Sequence, residues 1–173
     1  AQKYNREDWN LNWKTPYLGY NIEGEYPVEK SLKALLDGEI IGIANGRAEF
    51  GPRALGNRTL TADPRGPLIK DKMNEIKRRQ KFRPFAPMIL EEDVHEYFEM
   101  PKNITQSPYM QFVAKCKFPK EFPAIVHVDG TSRVQTVNQI QHPDLYLLLS
   151  SFKEETGCPM LVNTSLNIKG KPI

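Results

Sequence analysis

Gly46-Arg47-Ala48-Glu49-Phe50-Gly51-Pro52-Arg53-Ala54-Leu55-Gly56-Asn57-Arg58 spaces three arginines among three glycines and one proline. That composition is too rich in Gly and Pro for regular helix, so the stretch reads as a loop. It follows Ile40-Ile41-Gly42-Ile43-Ala44, and a buried strand is expected from Glu39 to Ala44. Glycine lets a backbone approach a ligand closely, and arginine presents a planar fork of donors that matches phosphate or carboxylate. An anion site at the end of a strand is therefore expected, with Arg47, Arg53 and Arg58 as its donors. Glu49 has two readings, orienting one of the arginines or holding a metal-bound nucleotide. Arg-Glu clusters in such loops also arise as ion-pair networks that pin a loop to its domain, so both readings stand at this level.

Outward from the loop, helices and strands alternate. Upstream, Val28, Leu32, Leu35 and Leu36 fall on one helical face before Gly38, so a helix is expected over 28–37. Residues 1–27 show Trp9, Trp13, Tyr17, Tyr20 and Tyr26 without a period, and read as an irregular aromatic arm. Downstream, a short strand over 59–62 is closed by Asp63-Pro64-Arg65-Gly66-Pro67. A helix over 68–79 follows, with Leu68, Ile69, Met73 and Ile76 as its apolar side. Its other face and its exit carry Lys70, Lys72, Lys77, Arg78, Arg79 and Lys81, which read as a solvated basic surface. Arg83 stands apart, because Phe82-Arg83-Pro84-Phe85-Ala86-Pro87 is stiff enough to aim it inward. Strands are expected over 87–90, 111–116, 122–128 and 159–162, with a short helix over 92–98. His127 to Val137 reads as a hairpin whose tip gathers His127, Asp129, Thr131 and Arg133 around an Asp-Gly turn. The strongest helix is 143–155, with Leu145, Leu148, Leu149 and Phe152 at helical spacing, Pro143 in the first turn and Gly157 as the stop. Asn163-Thr164-Ser165-Leu166-Asn167 places amides and hydroxyls at a strand end, either for a ligand or as a satisfied turn.

This pattern argues an α/β (α+β-like) domain with a twisted mixed sheet and flanking helices. The arginine loop, the His127–Arg133 tip and the Asn163 cluster all fall at strand ends, where open sheets bind ligands, and are expected to converge on one groove.

The chain has 173 residues, 39% hydrophobic and 26% charged, the balance of a folded domain rather than a disordered segment. A net charge of +3 suits anionic small molecules without requiring nucleic acid. Cys116 and Cys158 form no Cys-x-x-Cys motif, and His95 has no Cys or His neighbour, so no metal site is expected. Reduced thiols, a cytoplasmic location and no membrane span are the corresponding expectations. Both ends read as cut.

Taken together, the arginine loop, Ala62-Asp63-Pro64-Arg65, Phe82 to Pro87, Ser107-Pro108-Tyr109-Met110, His127 to Val137 and Asn163 to Asn167 resemble the C-terminal domain of the carbamoyltransferase family. That family includes nodulation and antibiotic O-carbamoyltransferases, and the likeness runs in register from about residue 28 to the end. The resemblance implies a YrdC-like domain over 28–173 that uses ATP, with Mg²⁺ bound to it, and carbamoyl phosphate to make a carbamoyl-adenylate. It also implies a missing N-terminal Kae1-like domain that holds its own metal and passes the carbamoyl group to an acceptor. Arg53 and Arg133, with His127 and Asp129 as orienting groups, are the expected catalytic set. Arg47, Glu49, Asn57, Arg58, Arg83, Ser107, Thr131, Asn163, Ser165 and Asn167 are the expected binding set. Leu166 departs from the family's usual aromatic. An RNA-binding module, or a docking module without turnover, is the alternative; the basic residues lack the interleaved aromatics of a nucleic-acid surface, which disfavours RNA.

Overall fold

The computed structural model describes residues 26–46, 49 and 51–168. Most of the aromatic arm, and Arg47, lie outside the described residues. In chain order the elements are α1 (Val28–Leu36), β1 (Ile41–Ala44), β2 (Arg58–Thr61), α2 (Ile69–Ile76) and β3 (Ala86–Leu90). A single 3-10 turn (Glu91–Asp93) then leads into α3 (Val94–Tyr97) and β4 (Phe98–Glu99). β5 (Phe112–Cys116), β6 (Thr131–Val137), α4 (Pro143–Thr156) and β7 (Met160–Ser165) complete the domain. The strands form one sheet in the order β1-β2-β7-β3-β6-β5-β4. Only β3 and β6 run parallel; every other pair is antiparallel. The mixed α/β sheet expected from the residue pattern is the one found.

The centre of the sheet is also its most apolar part. In β3 every residue after Ala86 is buried, as expected for a strand covered on both faces. Pro87 is tolerated there because the ladder to β6 begins only at Met88. Helix α4 buries Leu145, Leu148, Leu149 and Phe152 completely and packs on β3, β7 and α1. Its stop is Gly157, in the left-handed region at φ 73°, donating its N–H to the Lys153 carbonyl. Tyr26, the last aromatic of the expected arm, is half-buried against this core.

Three expectations need correction. Phe122 to Val128 is buried only as far as Val126 and is not a strand: Pro123 removes a donor, and the chain turns through the bonds Phe122 N–H to Phe118 O and Ile125 N–H to Phe122 O. The hairpin tip survives as a turn, with His127 N–H donating to Thr131 O at 2.8 Å, but β6 finds its partners in β5 and β3. The third concerns α2, which buries Ile69, Met73 and Asn74 while Leu68 and Ile76 stay exposed. Lys77, taken for part of a solvated face, is buried.

Candidate functional site: an arginine-lined cavity

Residues paired across strands share a face of the sheet, and residues two apart along a strand do too. The register therefore places Thr59 of β2, Asn163 and Ser165 of β7, Ala86 of β3, and Arg133 and Gln135 of β6 on one face. Their end of the sheet combines the starts of β2, β3 and β6 with the end of β7. There a cavity of about 480 Å³ opens. Its walls come from the arginine loop (Pro52, Arg53, Ala54), the segment after α2 (Arg79, Phe82 to Ala86), Met110, His127, Arg133 and the end of β7 (Asn163 to Ser165). Six of the expected site residues thus meet: Arg53, Arg83, His127, Arg133, Asn163 and Ser165.

The cations of this cavity are of two kinds. Arg53 and Arg83 are exposed and Arg133 is half-buried on β6. None of the three forms an ion pair with a carboxylate among the described residues, and none of the described lining residues is acidic. Beside them are two cations that the basic run concealed, Arg79 in the wall and Lys77 outside it. Arg79 lies over the Phe85 ring at 4.3 Å and donates from Nε to Asn74 Oδ1 at 2.6 Å. Burial, and then Arg83, push its pKa down to about 10. The Lys77 ammonium donates to Ser165 O (2.6 Å) and Asn167 O (2.8 Å) and meets Asn167 Oδ1 at 3.0 Å. Burial, followed by the charges of Arg79 and Arg83, lowers it to about 8. Both groups are lowered first by burial and then by neighbouring positive charge, and an anion beside them would relieve that repulsion.

Other expected site residues are engaged within the protein. The Glu49 carboxylate accepts the N–H groups of Leu55 (2.9 Å), Asn57 and Arg58, and so ties the loop to itself. Arg58 points back at its own loop, onto the carbonyls of Asn45, Asn57 and Gly46. Asn163 donates to Ala54 O and to Gln135 Oε1 and accepts from the Thr59 hydroxyl, so its amide has no hydrogen left for a ligand. Ser107 is buried beside β6, its hydroxyl bonded to Val134 O at 2.8 Å. Asp129 accepts from the Thr131 N–H and hydroxyl, bonds that hold its pKa below the ordinary carboxylate value. Neither residue is in the cavity wall. Met110 is in the wall, held at φ 56°, a left-handed value uncommon for a side chain of its size.

Lys77, Arg79, Gln135 and Thr59 were absent from the expected site. For Lys77 a signal existed, since it stands one turn after buried Met73 on the same helical face. Gln135 carried none, being one polar residue in an alternating strand.

Such a cavity, on such a sheet, makes this an α/β domain with an arginine-lined cavity at one end of its strands. Residues 32–173 match the family model described as carbamoyltransferase C-terminus, and the chain belongs to that family. It is 46% identical over 142 residues to nodulation protein NolO of Bradyrhizobium diazoefficiens, covering 80% of this chain and 26% of that protein. It is 42% identical over 142 residues to the 3'-hydroxymethylcephem-O-carbamoyltransferase of Amycolatopsis lactamdurans, with 80% and 26% covered. An uncharacterized protein of Methanocaldococcus jannaschii, MJ1058, is 40% identical over 176 residues, with 98% and 29% covered. The chain thus spans about a quarter of the length of the curated relatives it matches. The fold also matches part of full-length HypF, solved in a phosphate- and nucleotide-bound form, with a TM-score of 0.61 at 22% identity over 84% of this chain and 21% of that one. Among the described residues no helix is long and apolar enough to cross a membrane, and no cluster of His, Cys, Asp and Glu could hold a metal ion.

Proposed function

We propose that this domain is the activating part of an O-carbamoyltransferase, binding MgATP and carbamoyl phosphate and forming a carbamoyl-adenylate. The observation that carries it is the convergence of Arg53, Arg83 and Arg133, without a carboxylate partner among the described residues, on one cavity. The name of one relative, an O-carbamoyltransferase, and the phosphate- and nucleotide-bound state of HypF support the substrate class. In balanced form, carbamoyl phosphate and water give carbamate and phosphate. A carbamate oxygen then attacks the α-phosphorus of ATP, the bond to the β-phosphate oxygen breaks, and pyrophosphate leaves. Negative charge grows on the α-phosphate and the leaving group, so positioned cations serve this step better than a nucleophile. The residues fit: Arg53, Arg79, Arg83 and Arg133 line the cavity, Lys77 adds field through its contact with Ser165, and no Ser-His-Asp or Cys-His set is needed. Mg²⁺ would arrive on the triphosphate, since the described walls hold no carboxylate. The carbamoyl group would pass to a Kae1-like domain in the remainder of a longer protein.

Calorimetric titration with MgATP, with and without carbamoyl phosphate, tests the proposal. Saturable binding with pyrophosphate release when both are present is expected. Binding without release would assign activation to the whole protein, and no binding by either ligand would sink the proposal.

A further inference from the structure

Between Gly51 and Asn57 the arginine loop has no regular structure, yet its backbone is held by three side chains from the sheet. The Thr59 hydroxyl accepts the Gly56 N–H at 3.0 Å and donates to Asn163 Oδ1 at 3.1 Å. Asn163 Nδ2 donates to Ala54 O at 2.8 Å and to Gln135 Oε1 at 2.6 Å. Gln135 Nε2 donates to Leu55 O at 2.8 Å. The last contacts cross a whole strand: Asn163 lies beside Ala86, and Gln135 beside Met88, with β3 between β7 and β6. Ala86 is small enough for the two amides to meet over it. The three relay residues are 0%, 3% and 1% exposed, in chain order Thr59, Gln135 and Asn163. Every polar atom in this buried relay serves either the relay or the backbone of residues 54–56.

We infer that Gln135 is a positioning residue: through Asn163 and Leu55 it sets Arg53 relative to Arg133. Arg133 shares its strand and face with Gln135, and Arg53 is bonded directly to Ala54, so the relay fixes the separation of two arginines that reach the cavity wall from different elements, the loop and β6. Fixing them before the ligand arrives removes an ordering cost from binding. The inference rests on the anion-binding role proposed above.

The test uses the full 173-residue chain with inorganic pyrophosphate and MgATP as probes, read by calorimetry, and amide exchange over residues 54–58. Gln135→Met keeps length and loses both polar groups; affinity for both probes should fall about tenfold, the loss expected for one structural hydrogen bond. Exchange at Leu55 to Asn57 should quicken while β3 and β6 stay protected. Gln135→Glu can donate to Leu55 O only when protonated. Its affinity relative to wild type at the same pH should recover as pH falls through its titration, with slowed loop exchange, while Gln135→Met stays weak throughout. Recovery of affinity with loop exchange unchanged would mean simple charge repulsion and would overturn the inference. So would wild-type affinity and exchange in Gln135→Met. If the wild-type protein binds neither probe, the anion-binding role itself fails, and unchanged loop exchange in Gln135→Met then rejects the relay separately.

Discussion

Arg53 in the arginine loop and Arg58 at the start of β2 just beyond it are one residue type, yet the fold uses them oppositely. Arg58 places its guanidinium on the carbonyls of Asn45, Gly46 and Asn57 and so helps make the loop. Arg53 lies in the cavity wall with no carboxylate partner among the described residues. The same division separates Asn163, whose amide is spent on the relay, from Arg133 on the same face of the sheet. Residue chemistry alone marks both classes as ligand candidates. What distinguishes them is whether their hydrogen-bonding capacity is already used, and that is a property of the fold.

The sharpest way to break this comparison is to remove one arginine of each class. Arg53→Ala and Arg133→Ala should lower pyrophosphate and MgATP affinity by roughly thirty- to a hundred-and-fiftyfold each, the worth of about 2–3 kcal/mol in charge-assisted bonds. Their thermal midpoints should stay near wild type. Arg58→Ala should do the reverse in the first instance, losing about 1–2 kcal/mol of stability and lowering the midpoint by roughly 2–8 °C. Equal midpoints with an equal affinity loss in Arg58→Ala would place Arg58 on the ligand and erase the distinction.

A smaller effect comes from the hinge of that loop. Gly56 sits at φ 119°, and a Cβ there would lie 2.6 Å from Leu145 Cδ2 and 2.9 Å from His142 Nε2. Gly56→Ala therefore combines backbone strain with a clash against α4, and about 1–3 kcal/mol of destabilisation is expected in denaturant melts. The loop must shift to relieve it, so affinity should fall by up to about tenfold, placing this variant between the two arginine classes.

How much of this was legible in the sequence follows the same line. Apolar spacing located α4 and its buried residues, because one uninterrupted face decides a helix. It misread Phe122 to Val128, where Phe122 and Ala124 to Val126 are buried without the alternation of a strand and Pro123 turns the chain. It could not find β4, a two-residue strand made by its neighbour β5. In the site, Arg53, Arg83, His127 and Arg133 were legible because Gly and Pro fix their surroundings locally. Lys77 and Arg79 were hidden in a basic run, since α2 ends at Ile76 and the chain turns at Arg78, φ 51°. Gln135 was illegible: its role depends on Leu55 and Asn163, which only the assembled sheet brings to it.

Lys77 sharpens the comparison from the side of pH. Its pKa falls from 10.5 to about 8 in the folded protein. Between those values the unfolded chain holds the extra proton, so stability should rise with pH from about 8 to 10.5, and Lys77→Met should flatten that slope. An anion placed among Arg79, Arg83 and Ser165 would favour the charged ammonium again. MgATP binding near pH 8 should therefore take up a fraction of a proton, seen as a dependence of binding heat on buffer ionisation enthalpy, and Lys77→Met should abolish it. No proton uptake in the wild-type protein would place the ligand away from Lys77.

The smallest effect is expected at Asp129, which the residue pattern put beside His127 in the catalytic set. Its carboxylate is fully exposed and serves the turn, accepting the Thr131 N–H at 3.0 Å and the Thr131 hydroxyl at 2.7 Å. Those bonds shape the tip that presents His127 to the cavity, with Gly130 at φ 82° completing the turn. Asp129→Asn keeps the acceptor oxygen and should match wild type in MgATP affinity. Asp129→Ala loses it and should weaken binding by no more than about threefold, the scale of one exposed hydrogen bond. Because the folded carboxylate holds its proton less firmly than the unfolded one, the turn's contribution should fade only as pH drops through the ordinary carboxylate range and below it. Should Asp129→Ala instead match Arg133→Ala in affinity while its midpoint holds, Asp129 acts on the ligand, and an exposed turn residue would join the open arginines rather than the groups that build the loop.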